Sequence, residues 1–114
     1  MSRVETLIFS KAYELYRAYS QSYTTFPKAK RYTLGSTIDR HLLDVIELII
    51  EAEYTTKKDK LLPLQKLSIK VDLVKVLIRL ACETKCIETK NYQILSSSLV
   101  EIGKMLGGWI KTLR

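Results

Sequence analysis

The stretch from Lys60 to Cys86, KLLPLQKLSIKVDLVKVLIRLACETKC, decides the fold. Its apolar residues recur every three or four positions, which is the spacing of one face of an α-helix. One such stripe consists of Leu64, Leu67, Val71, Val74, Ile78 and Ala81. A second stripe falls on roughly the opposite side and consists of Leu62, Ile69, Leu73, Val76, Leu77 and Leu80. The stretch therefore predicts a long helix with two apolar faces.

Two apolar faces call for two partners, because a helix on the surface of a monomer needs only one buried stripe. One partner is the chain's own core. The other is either more of the same bundle, with this helix at its centre, or a second subunit, and we expect the second subunit. Lys66 and Lys70 occupy one flank between the stripes, and Lys75 and Arg79 occupy the other.

Length and composition indicate a single helical domain over residues 1–114. Of the residues, 46% are hydrophobic and 27% are charged, which is typical of a globular protein. Only four glycines and two prolines interrupt the chain, so long helices are favoured. The formal net charge of +7 points to polyanionic partners, most often nucleic acid.

The sequence predicts no membrane span and a cytoplasmic location. The most apolar run, Leu42 to Ala52, is interrupted by three carboxylates, and the N-terminal residues lack the apolar run of a signal peptide. Cys82 and Cys86 have no second Cys or His pair to complete a zinc site, so we expect free thiols.

Three further helices are predicted by the same periodicity. The first runs from Ser2 to about Thr24, the second from between Lys28 and Ser36 to about Tyr54, and the last begins after Thr89. We expect their apolar stripes at Val4, Ile8, Ala12, Leu15 and Tyr19, at Leu34, Ile38, Leu42, Val45, Ile46, Ile49 and Ala52, and at Leu95, Leu99, Ile102, Leu106, Trp109 and Leu113. Four amphipathic helices with short connections predict an antiparallel up-down-up-down four-helix bundle.

Several helix ends carry residues that favour caps. Pro27 suits a first helical position, and Ser36 with Asp39 has the spacing of a capping box. Asp59 and Thr89 are expected to cap the third and fourth helices. Glycine in a helix interior is unfavourable, so Gly103 and Gly107 predict the close approach of another backbone.

Residue patterns that would support catalysis are missing from the sequence. It contains no Gly-rich phosphate loop, no nucleophile elbow and no cluster with metal-ligand spacing, so we expect neither an enzyme nor a cofactor. His41 is the single histidine and is interpreted as structural. Glu47 and Glu51 have no His partner at ligand spacing on another helix, which argues against a di-metal site.

Charge is segregated between the helices. Lys28, Lys30 and Arg31 lie at a helix start, where the macrodipole favours anions, so they indicate either phosphate contacts or a solvated loop. The second helix has an acidic face of Asp44, Glu47 and Glu51, whereas the third helix has basic flanks. On the acidic face, Arg40 is expected to pair with Asp44 at i+4 and with Glu47 at i+7. Such segregation would suit subunits that pack acidic surface on basic surface.

The run from Glu101 to Lys111, EIGKMLGGWIK, resembles the closing helix of the Avd-like four-helix bundle family. Members of this family are the accessory variability determinants of diversity-generating retroelements. Phe26-Pro27-Lys28, the run RYTLG at 31–35 and the patch at 77–81 are similar to that family's second and third helices. A sister group, encoded in intervening sequences of 23S ribosomal RNA genes, has a Pro-Ala-Asn-Ile-Ala-Glu-Gly-like stretch where this chain has IELIIEAEY at 46–54. The resemblance therefore favours the Avd side.

The resemblance implies a homopentameric barrel with a basic surface and a central channel, without catalysis of its own. It would bind the retroelement's reverse transcriptase and its template RNA or the cDNA, and so support mutagenic copying. The alternatives are a module that binds only protein and an RNA-binding protein of the 23S intervening-sequence type. The candidate residues for phosphate contacts and reverse-transcriptase docking are Lys28, Lys30, Arg31, Lys66, Lys70, Lys75, Arg79 and Lys104.

Overall fold

The computed structural model describes residues 3–114, and the side chains from residue 7 onward. It contains four long helices and, in this part of the chain, no strand: α1 (Arg3–Tyr23), α2 (Ser36–Tyr54), α3 (Leu61–Glu83) and α4 (Thr89–Lys111). α1 and α3 each pack against both α2 and α4. The result is an all-α four-helix bundle of 45 × 22 × 19 Å, with the four helices at the corners of a square.

The core is built from the predicted stripes. Ile8, Ala12, Leu15 and Tyr19 of α1 are buried, whereas Val4 lies outside the described side chains. The buried residues of α2 and α4 are Ile38, Leu42, Val45, Ile49 and Ala52, and Leu95, Leu99, Ile102, Leu106 and Trp109. Leu34, Ile46 and Leu113 are only partly buried and pack against this core. The three-four periodicity thus predicted the core positions.

The chain enters α2 through an irregular helical segment. A helical turn at Lys28–Lys30 follows Pro27, which precedes the helix instead of occupying its first position, and a π-helical turn runs from Arg31 to Gly35. The Tyr19 hydroxyl donates to the Gly35 carbonyl at 2.7 Å, and the Tyr23 hydroxyl donates to the Arg31 carbonyl at 2.9 Å. Two tyrosines of α1 therefore bind carbonyls of the π-helical turn and fix the entry to α2.

The capping predictions were wrong. Because the helical segment already runs through Ser36, its hydroxyl donates back to the Tyr32 carbonyl, and Asp39 instead accepts the Tyr16 hydroxyl at 2.8 Å. Asp59 is the last residue of a 3₁₀ turn at Lys57–Asp59, so Lys60 and not Asp59 takes the cap position of α3. Thr89 is the first residue of α4, so this helix begins one residue earlier than predicted, and Glu88 takes the cap position without a side-chain hydrogen bond.

The two apolar faces of α3 have different environments. The first predicted stripe is buried throughout, from Leu64 to Ala81. Within the second stripe, Leu77 is partly buried, but the side chains of Leu62, Ile69, Leu73, Val76 and Leu80 are exposed. A position for α3 at the centre of one bundle is therefore wrong, because a single chain leaves its outer face bare.

The close backbone expected at the α4 glycines is not found within the described part of the single chain. No heavy atom lies within 4 Å of a Cβ position built on Gly107 or Gly108. At Gly103 the neighbouring atom is the Lys75 Nζ, 3.3 Å from the built Cβ position. These glycines lie along the surface of α4 in the single chain. No helix in the described part of the chain is long and apolar enough to cross a membrane.

Candidate nucleic-acid interface

One end of the bundle carries Lys28 and Lys30 with exposed side chains. The loop before them is tied to the α3–α4 turn, because the Thr25 hydroxyl donates to the Cys86 carbonyl at 2.8 Å. That turn brings the exposed Lys85 to the same end, and the exposed Lys90 follows in the first turn of α4. We refer to Lys28, Lys30, Lys85 and Lys90 as the basic end.

Sequence reasoning missed Lys85 and Lys90. Neither belongs to an amphipathic pattern, and only the packing of the two connections places them at the same end of the bundle as Lys28. Lys85 has a φ of 64°, the left-handed conformation that usually takes glycine after a helix. A short polar segment between two apolar stripes, ending a helix without glycine, is the one signal that could have singled it out.

Arg31 differs from its neighbours because its guanidinium turns back onto its own loop. Its Nη2 donates to the Thr24 carbonyl at 3.4 Å and to the Phe26 carbonyl at 3.3 Å. Its Nε is buried, and no hydrogen-bond partner for it lies within the described residues. Arg31 therefore braces the turn between α1 and α2, and its head has limited freedom to reach a ligand.

Lys66 and Lys70 line a groove of about 390 Å³ between α2 and α3. The Lys70 Nζ lies 3.2 Å from Asp44 Oδ2 and 3.0 Å from His41 Nδ1. Asp44 therefore pairs with Lys70 across the groove, and not with Arg40 along its own helix as predicted. Burial, followed by the positive charges of Lys70 and Arg40, lowers the pKa of His41 below its ordinary value.

Lys75, Arg79 and Lys104 lie on the other side of α3 and on α4. Lys75 approaches Asp72 at 3.9 Å, and its ammonium group lies over Gly103. Arg79 and Lys104 have exposed side chains. The structure thus divides the eight predicted cations among the basic end, the loop that Arg31 braces, the α2–α3 groove and the α3–α4 side, so they do not form one continuous patch.

These arrangements can attract a polyanion but hold no preformed pocket for a metal. No group of three or more His, Cys, Asp or Glu residues in the described chain is placed to bind a metal ion. Cys82 and Cys86 are both free thiols, as predicted. The exposed lysine heads offer mobile point charges, which suit contact with phosphate more than recognition of a particular base.

A comparison with protein families finds a match. A family model described as bAvd-like matches residues 6–113, nearly the whole chain. A search of curated proteins finds no match.

Proposed function

This chain belongs to the bAvd-like family, and we therefore propose that it is a non-catalytic accessory protein of a diversity-generating retroelement. It binds the element's reverse transcriptase and its template RNA or cDNA, and so supports mutagenic copying. The observation that carries this proposal is the family match, which extends over residues 6–113. We place the protein in the cytoplasm with these partners.

The proposed architecture is an antiparallel up-down-up-down bundle that assembles into a pentameric ring. Three contacts between neighbouring helices support the antiparallel order, because each joins residues at the same level along the bundle axis when adjacent helices run in opposite directions. They are Tyr16 with Asp39, Lys70 with Asp44, and Lys11 with Glu101 at 2.6 Å. The bare outer face of α3 supports assembly, because a row of exposed aliphatic side chains is typical of an interaction site. The number five comes from the family resemblance.

Nucleic-acid binding is proposed to be electrostatic. Each lysine that contacts a phosphate releases a condensed counterion, and repetition of the contacts around a ring multiplies a modest affinity. The best placed of the predicted residues are Lys28 and Lys30 at the basic end and Lys104 on α4, because their side chains are exposed. Lys70 and Lys75 are already close to carboxylates.

Fluorescence anisotropy with single-stranded RNA of random sequence, measured over a range of salt concentrations, tests this mechanism. We expect the double variant Lys28→Gln/Lys30→Gln to reduce the slope of log affinity against log salt by about 1.4, since each phosphate contact contributes about 0.7 on single strands. The control Lys57→Gln/Lys58→Gln removes the same charge at the opposite end and should leave the slope nearly unchanged. An affinity of the unmodified protein that does not depend on salt would exclude electrostatic binding.

The partner is tested by co-purification with a reverse transcriptase from a diversity-generating retroelement, with and without RNase treatment. Co-purification that persists after RNase treatment supports direct binding to the polymerase. Co-purification that is lost after RNase treatment supports an indirect association through RNA. Binding of RNA without capture of the polymerase would favour the 23S intervening-sequence type. Binding of neither would leave the plain protein-binding module.

A further inference from the structure

The outer face of α3 is an apolar row that the core does not use. We define it by Leu62, Ile69, Leu73, Val76 and Leu80, whose exposed fractions lie between 37% and 71%. These positions span almost the full length of the helix and border the α2–α3 groove, which Ile69 and Leu73 also line. Five large aliphatic side chains in one row are more than scattered surface residues, and they indicate a docking surface.

The charges beside this face restrict what can cover it. Lys66 and Arg79 flank it with exposed side chains, and Lys70 and Lys75 flank it with partly buried ones. Asp72 is the one acidic residue of α3 before Glu83. A suitable partner therefore combines aliphatic side chains with carboxylates. A second α3 outer face does not qualify, since it would bring one set of cations against another.

The chain itself carries a surface of the required kind. The outer face of α2, defined here by Leu43, Glu47, Ile50, Glu51 and Tyr54, combines exposed apolar side chains with two exposed carboxylates. The spacing of these residues by three and four positions places them in one row along the helix. Among the described residues, Glu47, Glu51, Lys66 and Arg79 form no ion pair within the chain, so their charges are available to a neighbour.

We infer that the outer face of α3 in one copy packs on the outer face of α2 in the next copy, with Lys66 and Arg79 facing the neighbour's carboxylates. This inference rests on the ring of the proposed function and assigns its two complementary faces. It also removes Lys66 and Arg79 from the set of phosphate contacts, because the interface covers them.

The positions of the two faces favour a closed ring when the contact between α3 and α2 is repeated from copy to copy. α2 and α3 are adjacent corners of the bundle, so their outward directions differ by roughly 90°. Contacts between two different faces generate a ring when the rotation between copies closes. The interior angle of a regular ring is about 90° for four members and about 108° for five, so faces at this angle suit a small ring better than a filament.

Charge reversal tests the pairing, with native mass spectrometry and sedimentation as readouts. The variant Lys66→Glu/Arg79→Glu makes both faces acidic, and Glu47→Lys/Glu51→Lys makes both faces basic. Each alone should shift the assembly toward monomer, with a tenfold or larger weakening of self-association. In an equimolar mixture, the acidic α3 face of one variant can pack on the basic α2 face of the other, so mixed complexes with alternating variants should reappear. Because a ring of five cannot alternate, we expect these complexes to be open chains or rings with an even number of copies. Circular dichroism checks that each variant keeps its helices.

Lys104→Glu/Lys111→Glu on α4 changes the charge by the same amount as Lys66→Glu/Arg79→Glu and should leave assembly intact. If the unmodified protein forms a ring and both face variants assemble as well as the unmodified protein, the assignment of faces is wrong while the proposed ring stands. If the mixture of the two face variants stays monomeric, the pairing of these charges is wrong. If the unmodified protein is itself a monomer at high concentration, the ring of the proposed function fails, and this interface fails with it.

Discussion

The inner and outer faces of α3 have similar aliphatic composition but opposite environments. The inner face, which includes Leu67 and Ile78, is fully buried in the core, where α3 packs against α2 and α4. On the outer face, Ile69 is 71% exposed and Val76 is 51% exposed. The same hydrophobic effect acts on both rows, so burial within one chain stabilises the inner row only. An apolar pattern therefore indicates which residues favour burial, and the fold determines which of them are buried within the single chain.

Truncation of the inner face should produce the largest effect. Leu67→Ala removes a fully buried side chain from a packed core, and we expect the free energy of unfolding to fall by about 2–5 kcal/mol. Urea unfolding followed by circular dichroism at low protein concentration measures this change. A loss below about 1 kcal/mol would mean that the inner face is not the packed core of the bundle.

Gly35→Ala tests the tightest packing at the end of α1. A Cβ at Gly35 would lie 2.9 Å from Cε2 of Tyr23 and 3.2 Å from Cδ2 of Phe26. Because the Tyr23 hydroxyl is bound to the Arg31 carbonyl, the ring cannot easily move away. We expect a net destabilisation of about 1–3 kcal/mol in thermal or urea unfolding.

Gly107→Ala is the matched control, because its added Cβ would have no neighbour within 4 Å. Alanine favours the helix, so this variant should gain up to about 1 kcal/mol in the free chain. Equal effects of the two substitutions would contradict the difference in packing between the two sites.

The pH dependence of stability tests the contact between α2 and α3. Folding lowers the pKa of His41 below its ordinary value of 6.5, so the unfolded chain binds a proton first as the pH falls. The free energy of unfolding should therefore decrease from about pH 6.5 downward, by at most about 1.4 kcal/mol per pH unit, and should not change from this source above that pH. His41 is the single histidine, so His41→Gln should remove this slope. An unchanged slope would assign it to another group.

Substitution on the outer face of α3 should have the smallest effect on folding. Ile69→Ser replaces a side chain that is already 71% exposed, so the free energy of unfolding of the monomer should change by less than about 0.5 kcal/mol. Self-association, measured in parallel by sedimentation, should weaken. A loss comparable to that of Leu67→Ala would mean that both faces of α3 support the fold of the single chain.

Helix ends and ion pairs were predicted less well than the core, for identifiable reasons. Ser36 and Asp39 have capping-box spacing, but the π-helical turn extends the helix backward, and Tyr16 from α1 takes the Asp39 carboxylate. Arg40 and Asp44 have pairing spacing, but Lys70 reaches Asp44 from α3. In each case a residue distant in sequence replaced a local partner, and local spacing contains no information about it.

In the candidate interface too, the sequence predicted some features, and others depended on contacts between residues distant in sequence. The sequence identified Lys28 and Lys30 as cations at a helix start, and both are exposed. It could not show that Arg31 folds back onto the Thr24 and Phe26 carbonyls, or that Lys85 joins the basic end. Whether a cation is free or engaged depends on neighbours that only the packed loops provide.

By itself, the sequence determined four amphipathic helices, their inner stripes and the segregation of acidic and basic residues, because periodicity and composition are local properties of the chain. Only the tertiary structure decided which of the two apolar faces of α3 enters the core and which cations remain free. The physical reason is that burial and ion pairing depend on elements far apart in sequence, and the other helices of a bundle can cover only one side of any given helix.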